Sequence, residues 1–226
     1  MSGAALDTLF LATEFQRNGF VVLEDAVDSP ALEKLRAAAE RLVDDFDIEK
    51  NRTTFSTDDR DAGRDEYFFA SSEQASCFLE AGALDDNGAL IRDKHLAINK
   101  IGHAMHDLDP AFEAFCRQPI FGEALRAVGY NTPSLFQTMY IFKQPGIGGE
   151  VRWHQDASYL IAGGRGVTGV WVALEDADRD NGCLWMQPRQ HRSPLREIYE
   201  VDWQSREGTL RTLDDTPWRQ DGIDAV

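Results

Sequence analysis

The chain has little cysteine: Cys77, Cys116 and Cys183 lie far apart with no Cys-x-x-Cys pair, so neither a disulfide framework nor a thiolate zinc cluster is expected. It is also short of basic residues. Its 23 Lys and Arg stand against 39 Asp and Glu, a formal charge of −16 that opposes non-specific attraction to nucleic acid or anionic lipid. No apolar run approaches a membrane span, and Met1-Ser2-Gly3 lacks the basic and apolar regions of a secretory signal. There is no internal repeat and no long linker. What remains is a soluble, cytoplasmic, single globular domain over residues 1–226, with 42 % hydrophobic residues to build its core and neither nucleic acid nor membrane as a partner.

Two halves differ in texture. Leu6, Leu9, Phe10, Thr13 and Arg17 fit one face of a short helix that stops at Asn18-Gly19, and Phe20-Val21-Val22-Leu23 reads as a buried strand. Ser29-Pro30 opens a second helix carrying Leu32, Leu35, Leu42, Val43 and Phe46. A polar loop from Asn51 to Arg64 precedes strand-like pieces at Tyr67-Phe68-Phe69 and Cys77-Phe78-Leu79, and short helices are predicted over Ala111–Cys116 and Ile120–Val128. Past Gly129 the pattern turns to β: Ser134–Lys143, the stretch around His154, Val167–Leu174, and a turn at Asp180-Asn181-Gly182 before Cys183–Met186. The expectation is a helical part over about residues 1–130 laid on an antiparallel β core over about 131–226.

The chemistry concentrates at Val151–Leu160. An extended segment sends alternate side chains to one face, so His154 and Asp156 can converge on a metal as two members of a 2-His-1-carboxylate set. A His-x-Asp pair by itself is as readily a polar surface strand or turn. Lys100 lies in an apolar setting, where its ammonium needs an anionic partner or a route to solvent. His103 and His106 would share a face if Ile101–Asp107 were helical, a weaker metal pair. The glycines of 146–149 precede a strand rather than a helix and do not read as a phosphate cradle.

Several ordered blocks sharpen this: Asn18-Gly19-Phe20-Val21-Val22-Leu23-Glu24, Ile98-Asn99-Lys100-Ile101-Gly102-His103, Met139-Tyr140-Ile141-Phe142-Lys143-Gln144-Pro145, Gly149-Glu150-Val151, His154-Gln155-Asp156-Ala157-Ser158, Gly169-Val170-Trp171, and Glu175-Asp176-Ala177 with Asn181-Gly182-Cys183-Leu184-Trp185. Together they resemble the phytanoyl-CoA dioxygenase family over nearly the whole chain. The resemblance implies a mainly β fold with N-terminal helices, a double-stranded β-helix (jelly roll, cupin-like). It implies an oxidoreductase in which Fe(II) and O2, with 2-oxoglutarate as co-substrate, hydroxylate a small-molecule substrate and release succinate and CO2. On this reading His154 and Asp156 are iron ligands, and Lys100, Gln137, Met139 and Trp171 line the 2-oxoglutarate pocket. Asp156 retains the hydroxylase pattern, since a non-coordinating residue there would leave a position for halide.

The chain departs from the family at its end. The family's second iron-binding His sits on a late strand, followed by an Arg that grips 2-oxoglutarate. After Asp156 the sequence holds only His191, in a turn segment where the family has a non-ligating His. The expectation is a jelly roll incomplete at the C-terminus, without the third ligand, with open sheet edges, low stability and weak iron binding that leaves it inactive or nearly so. The alternatives are a catalytically silent relative that binds a small acid or a protein partner, and a cupin-like metal protein without redox chemistry. The substrate is open; the negative total charge does not favour an acyl-CoA with its phosphates, though a local basic patch of Lys143, Arg152 and Arg165 could overrule it.

Overall fold

The computed structural model describes residues 6–55, 66–160, 166–205, 207–219 and the backbone of 224–225. Helix α1 (Thr8–Asn18) starts where the Asp7 carboxylate accepts from Phe10 N at 2.9 Å, and ends where Gly19 adopts φ 87° and donates its N–H to Phe15 O. A Cβ at Gly19 would collide with the His191 ring, so this position is closed to other residues on two counts. Helix α2 (Ser29–Asp45) is capped by Asp28, not by Ser29, with Pro30 in its first turn where a missing N–H costs nothing.

Strand β1 (Thr54–Phe55), helix α3 (Glu66–Ala70) and strand β2 (Ala75–Glu80) follow, then β3 (Ile98–His103), α4 (Met105–Leu108), α5 (Pro110–Cys116), α6 (Pro119–Ala127) and β4 (Thr138–Ile141). The four strands form one mixed sheet in chain order, β1 parallel to β2 and the rest antiparallel. One of its faces packs on the helices: Cys77 and Ile101, cross-strand partners, join Leu35, Ala38, Val43, Met105, Phe112 and Phe115 in the core cluster. Each fully buried large apolar side chain there contributes about 1.5–3 kcal/mol over exposure. Strands β5 (Trp185–Met186), β6 (Glu197–Asp202), β7 (Glu207–Thr212) and β8 (Asp224–Ala225) make two further ladders, β5 with β8 and β6 with β7, both antiparallel. Among the described residues, no helix is long and apolar enough to cross a membrane.

Several sequence expectations need correction. Tyr67, Phe68 and Phe69 are helical, and the turn of α3 lets Tyr67 and Phe68 both reach Phe78. Neither Phe20–Leu23 nor Val167–Leu174 is assigned to a strand; Val172 and Leu174 pack on the core by side chain instead. The expected apolar face of α1 points outward, with Leu9 77 % and Phe10 51 % exposed, while Leu11 is the residue buried. Among the described residues all six α-helices precede residue 130, but β1, β2 and β3 do so too and the helices pack on their sheet. Arg165 and most of the Asn51–Arg64 loop lie outside the described residues.

Candidate functional site

His154 lies in a segment without regular secondary structure, Gln155 is extended, and Asp156 opens a single 3-10 turn, Asp156–Ser158. The carbonyl of Arg152 can only accept, so its 2.8 Å contact with His154 Nδ1 places the ring proton on Nδ1. Nε2 is thereby turned to Asp156, whose Oδ1 stands 3.4 Å away. Two donor atoms held side by side on one first-row metal ion, each at about 2.1 Å, are about 3 Å apart. The pair fits such an ion with little adjustment, and a backbone carbonyl anchoring Nδ1 is the usual support of a metal-binding imidazole. Without a metal the two meet as an ion pair when the imidazole is protonated. The hydrogen bond to Asp156 raises the His154 pKa against the opposing effect of burial, with the Arg152 carbonyl and the charges of Asp156 and Glu197 adding to it. The same hydrogen bond lowers the Asp156 pKa, again against burial. Gly169 passes beside the carboxylate: a Cβ there would be 3.4 Å from Asp156 Oδ2. Two residues on, Trp171 keeps 47 % of its surface exposed.

Lys100 sits mid-strand on β3, paired across the sheet with Phe78 on one side and Ile141 on the other. It is only 4 % exposed, so its head does not snorkel to solvent. The ammonium lies 3.4 Å from the centroid of Phe55, 5.3 Å from Phe78 and 5.8 Å from Phe68, with Met139 Sδ at 4.0 Å. Aromatic faces carry negative potential and stabilise such a cation by about 0.5–2 kcal/mol. Met139 is opposite Gly102, two residues along β3 from Lys100, and is half exposed; Gln137, half-buried, precedes it by one alternation. The structure thus brings together His154 with Asp156 and, separately, Lys100 with Met139.

The other four histidines are engaged elsewhere. His95 Nε2 meets Asp44 Oδ1 at 2.8 Å, and His106 Nδ1 meets Thr138 Oγ1 at 3.1 Å. His191 donates Nε2–H to Gln16 O at 3.2 Å and so serves the C-terminus of α1, beside Arg192, which donates to the same oxygen. The proposed His103/His106 pair dissolves because His103 is on β3 and His106 on α4. Among the described residues, no group of three His, Cys, Asp or Glu could hold a metal ion.

His103 has a different consequence. Ser71 gives its hydroxyl proton to Phe68 O at 2.6 Å and accepts from His103 Nδ1 at 2.8 Å. Burial, and then the charge of Lys100, lower the His103 pKa from 6.5 to about 3. An unfolded chain takes up this proton near pH 6.5 and the folded protein only near pH 3, so the stability linked to His103 is complete above 6.5 and is lost as the pH falls towards 3. Urea titrations at a series of pH values should show this loss. His103→Asn, which retains a donor for Ser71, should flatten the slope by up to about 1.4 kcal/mol per pH unit; an unchanged slope would place the acid sensitivity elsewhere.

Three contributors were not legible beforehand. Phe55 lay in a stretch read as polar loop, Phe68 in one read as strand, and Glu197 far along the chain from the histidine whose charge it favours. Only folding brings them near.

A family model described as Phytanoyl-CoA dioxygenase (PhyH) matches residues 15–221. The chain is 41 % identical over 181 residues to "Phytanoyl-CoA dioxygenase" of Arabidopsis thaliana and 42 % identical over 182 residues to "Phytanoyl-CoA dioxygenase 1" of Oryza sativa subsp. japonica, covering 80 % of this chain and 64 % of the relative in both cases. It is 36 % identical over 212 residues to "Phytanoyl-CoA dioxygenase domain-containing protein 1" of Mus musculus, covering 91 % of this chain and 73 % of that protein. The chain spans a little under two thirds of the length of the two plant relatives.

Proposed function

The chain belongs to the phytanoyl-CoA dioxygenase family, and on that premise we propose that it hydroxylates a small organic substrate in an Fe(II)- and 2-oxoglutarate-dependent reaction releasing succinate and CO2. The observation that carries this reading is the His154–Asp156 pair, with Nδ1 anchored on the Arg152 carbonyl and Nε2 3.4 Å from Oδ1. In the same reading the three sheets are parts of a double-stranded β-helix.

Bound there, Fe(II) supplies the redox chemistry that couples decarboxylation of 2-oxoglutarate to oxidation of a C–H bond. The rest falls to side chains. Where His154 is protonated it must release its Nε2 proton before that atom can act as a ligand, so metal binding competes with proton binding there. Lys100 offers its ammonium to a carboxylate of 2-oxoglutarate, and Phe55, Phe68 and Phe78 surround it with low-dielectric walls in which that attraction is stronger than in water. Gln137 donates to a co-substrate oxygen, while Met139 and Trp171, each about half exposed, offer it apolar walls.

The absence of a third ligand among the described residues supports a second reading, a silent relative that binds a small acid at Lys100. Anaerobic calorimetry with Fe(II) and 2-oxoglutarate, followed by a succinate-release screen over candidate substrates, separates the two. Binding of both with succinate release is the expected result. Binding of 2-oxoglutarate with no succinate selects the silent binder, and failure to bind either removes both readings.

A further inference from the structure

Between the two candidate ligands stands Gln155, in extended backbone just ahead of the turn at Asp156. It reaches a distant part of the chain. Its Nε2 donates to Pro194 O at 3.2 Å and its Oε1 accepts from Arg196 N at 2.9 Å. One primary amide thus engages both a carbonyl and an N–H on the segment leading into β6. Its own backbone is equally committed, because Gln155 O accepts from Ser158 N at 2.9 Å and so starts the turn that presents Asp156. A second contact tightens the join: the Tyr159 ring lies 6.1 Å from His154 and 6.0 Å from Tyr199 on β6.

We propose that Gln155 is the positioning residue of the metal pair, a two-headed clamp that fastens the His154–Asp156 segment to the start of β6 and keeps Nε2 and Oδ1 in chelating register. The inference rests on the metal reading above and adds to it a residue that touches no metal. The physical reason is economy of freedom. His154 and Asp156 are 38 % and 57 % exposed by side chain, so packing alone leaves both side chains rotational freedom. Without a clamp, the entropy of ordering both ligands would be charged to metal binding. With the clamp, most of that ordering is already present in the metal-free protein.

The test measures affinity for Mn(II) alone, a non-oxidising probe, and separately the thermal midpoint of the metal-free protein. Gln155→Met preserves length and removes both polar ends. Gln155→Asn retains the amide but is one carbon too short to reach both anchors. Both variants should bind Mn(II) about tenfold or more weakly, as losses outside the ligand set do, with the metal-free midpoint little changed. In the Co(II)-loaded form their visible bands should shift, reporting altered ligand geometry, which a general loss of stability would not produce. Gln155→Asn keeps the test decisive if Gln155→Met fails to fold. Wild-type Mn(II) affinity in either folded variant overturns the clamp and leaves the metal reading standing. Absence of Mn(II) binding in the wild type overturns the metal reading and the clamp together.

Discussion

Asp156→Ala is expected to weaken Fe(II) or Mn(II) binding by about 100-fold or more, beyond the 10- to 100-fold range typical of groups outside the ligand set. The carboxylate supplies one of the two donors that the structure brings together, and a single imidazole cannot chelate. The cost to folding should be small. The Asp156 side chain is 57 % exposed, and the hydrogen bonds that Tyr159 and Leu160 donate to its backbone carbonyl survive the change. Exposed substitutions of this kind stay within about 0.5 kcal/mol. Isothermal titration with Mn(II), alongside thermal unfolding without metal, should find affinity lost and the midpoint kept. His154→Ala should match it, because either change leaves one donor. An Asp156→Ala protein with undiminished affinity would move the metal away from this stretch.

Lys100→Met should separate function from stability in the opposite sense. Methionine has nearly the length of the lysine stem and fits among Phe55, Phe78 and Met139, so the packing persists. Exchanging a buried charge for a well-packed apolar side chain is commonly neutral or stabilising. The unfolding free energy should therefore be unchanged or higher. Affinity for 2-oxoglutarate should fall by about 100-fold, or about 3 kcal/mol, because the co-substrate carboxylate would meet apolar surface in place of an ammonium. Lys100→Arg should rescue poorly, since a planar fork is too broad for the space between Phe55 and Met139. Calorimetry with 2-oxoglutarate and urea unfolding on the same samples provide both readouts. Retained co-substrate affinity in Lys100→Met would assign the carboxylate to another cation.

The candidate site was legible where chemistry and local order coincide. His154 and Asp156 are two apart in the chain, close enough for their side chains to meet once the turn at Asp156 forms. The end of α1 at Gly19 and the start of α2 beside Pro30 were likewise local, set by the few residues that tolerate those backbone positions. Phe20–Leu23 and Val167–Leu174 misled because apolar, branched residues suit a strand, but a strand exists only when a partner offers its hydrogen bonds. Tyr67–Phe69 misled for the same reason: three aromatics favour β in isolation, and a helical turn serves better when Phe78 is the surface to be reached.

By itself the sequence determined family membership and singled out His154, Asp156 and Lys100 as candidates, because each depends on residue type in a fixed local order. Only the tertiary structure decided what surrounds them. Phe55 closes on Lys100 from 45 positions away, Gln155 fastens the ligand pair to Pro194 and Arg196, and His191 is spent on the end of α1 instead of on a metal. These are contacts between segments remote in the chain, and they form only when burial of the common core brings those segments together.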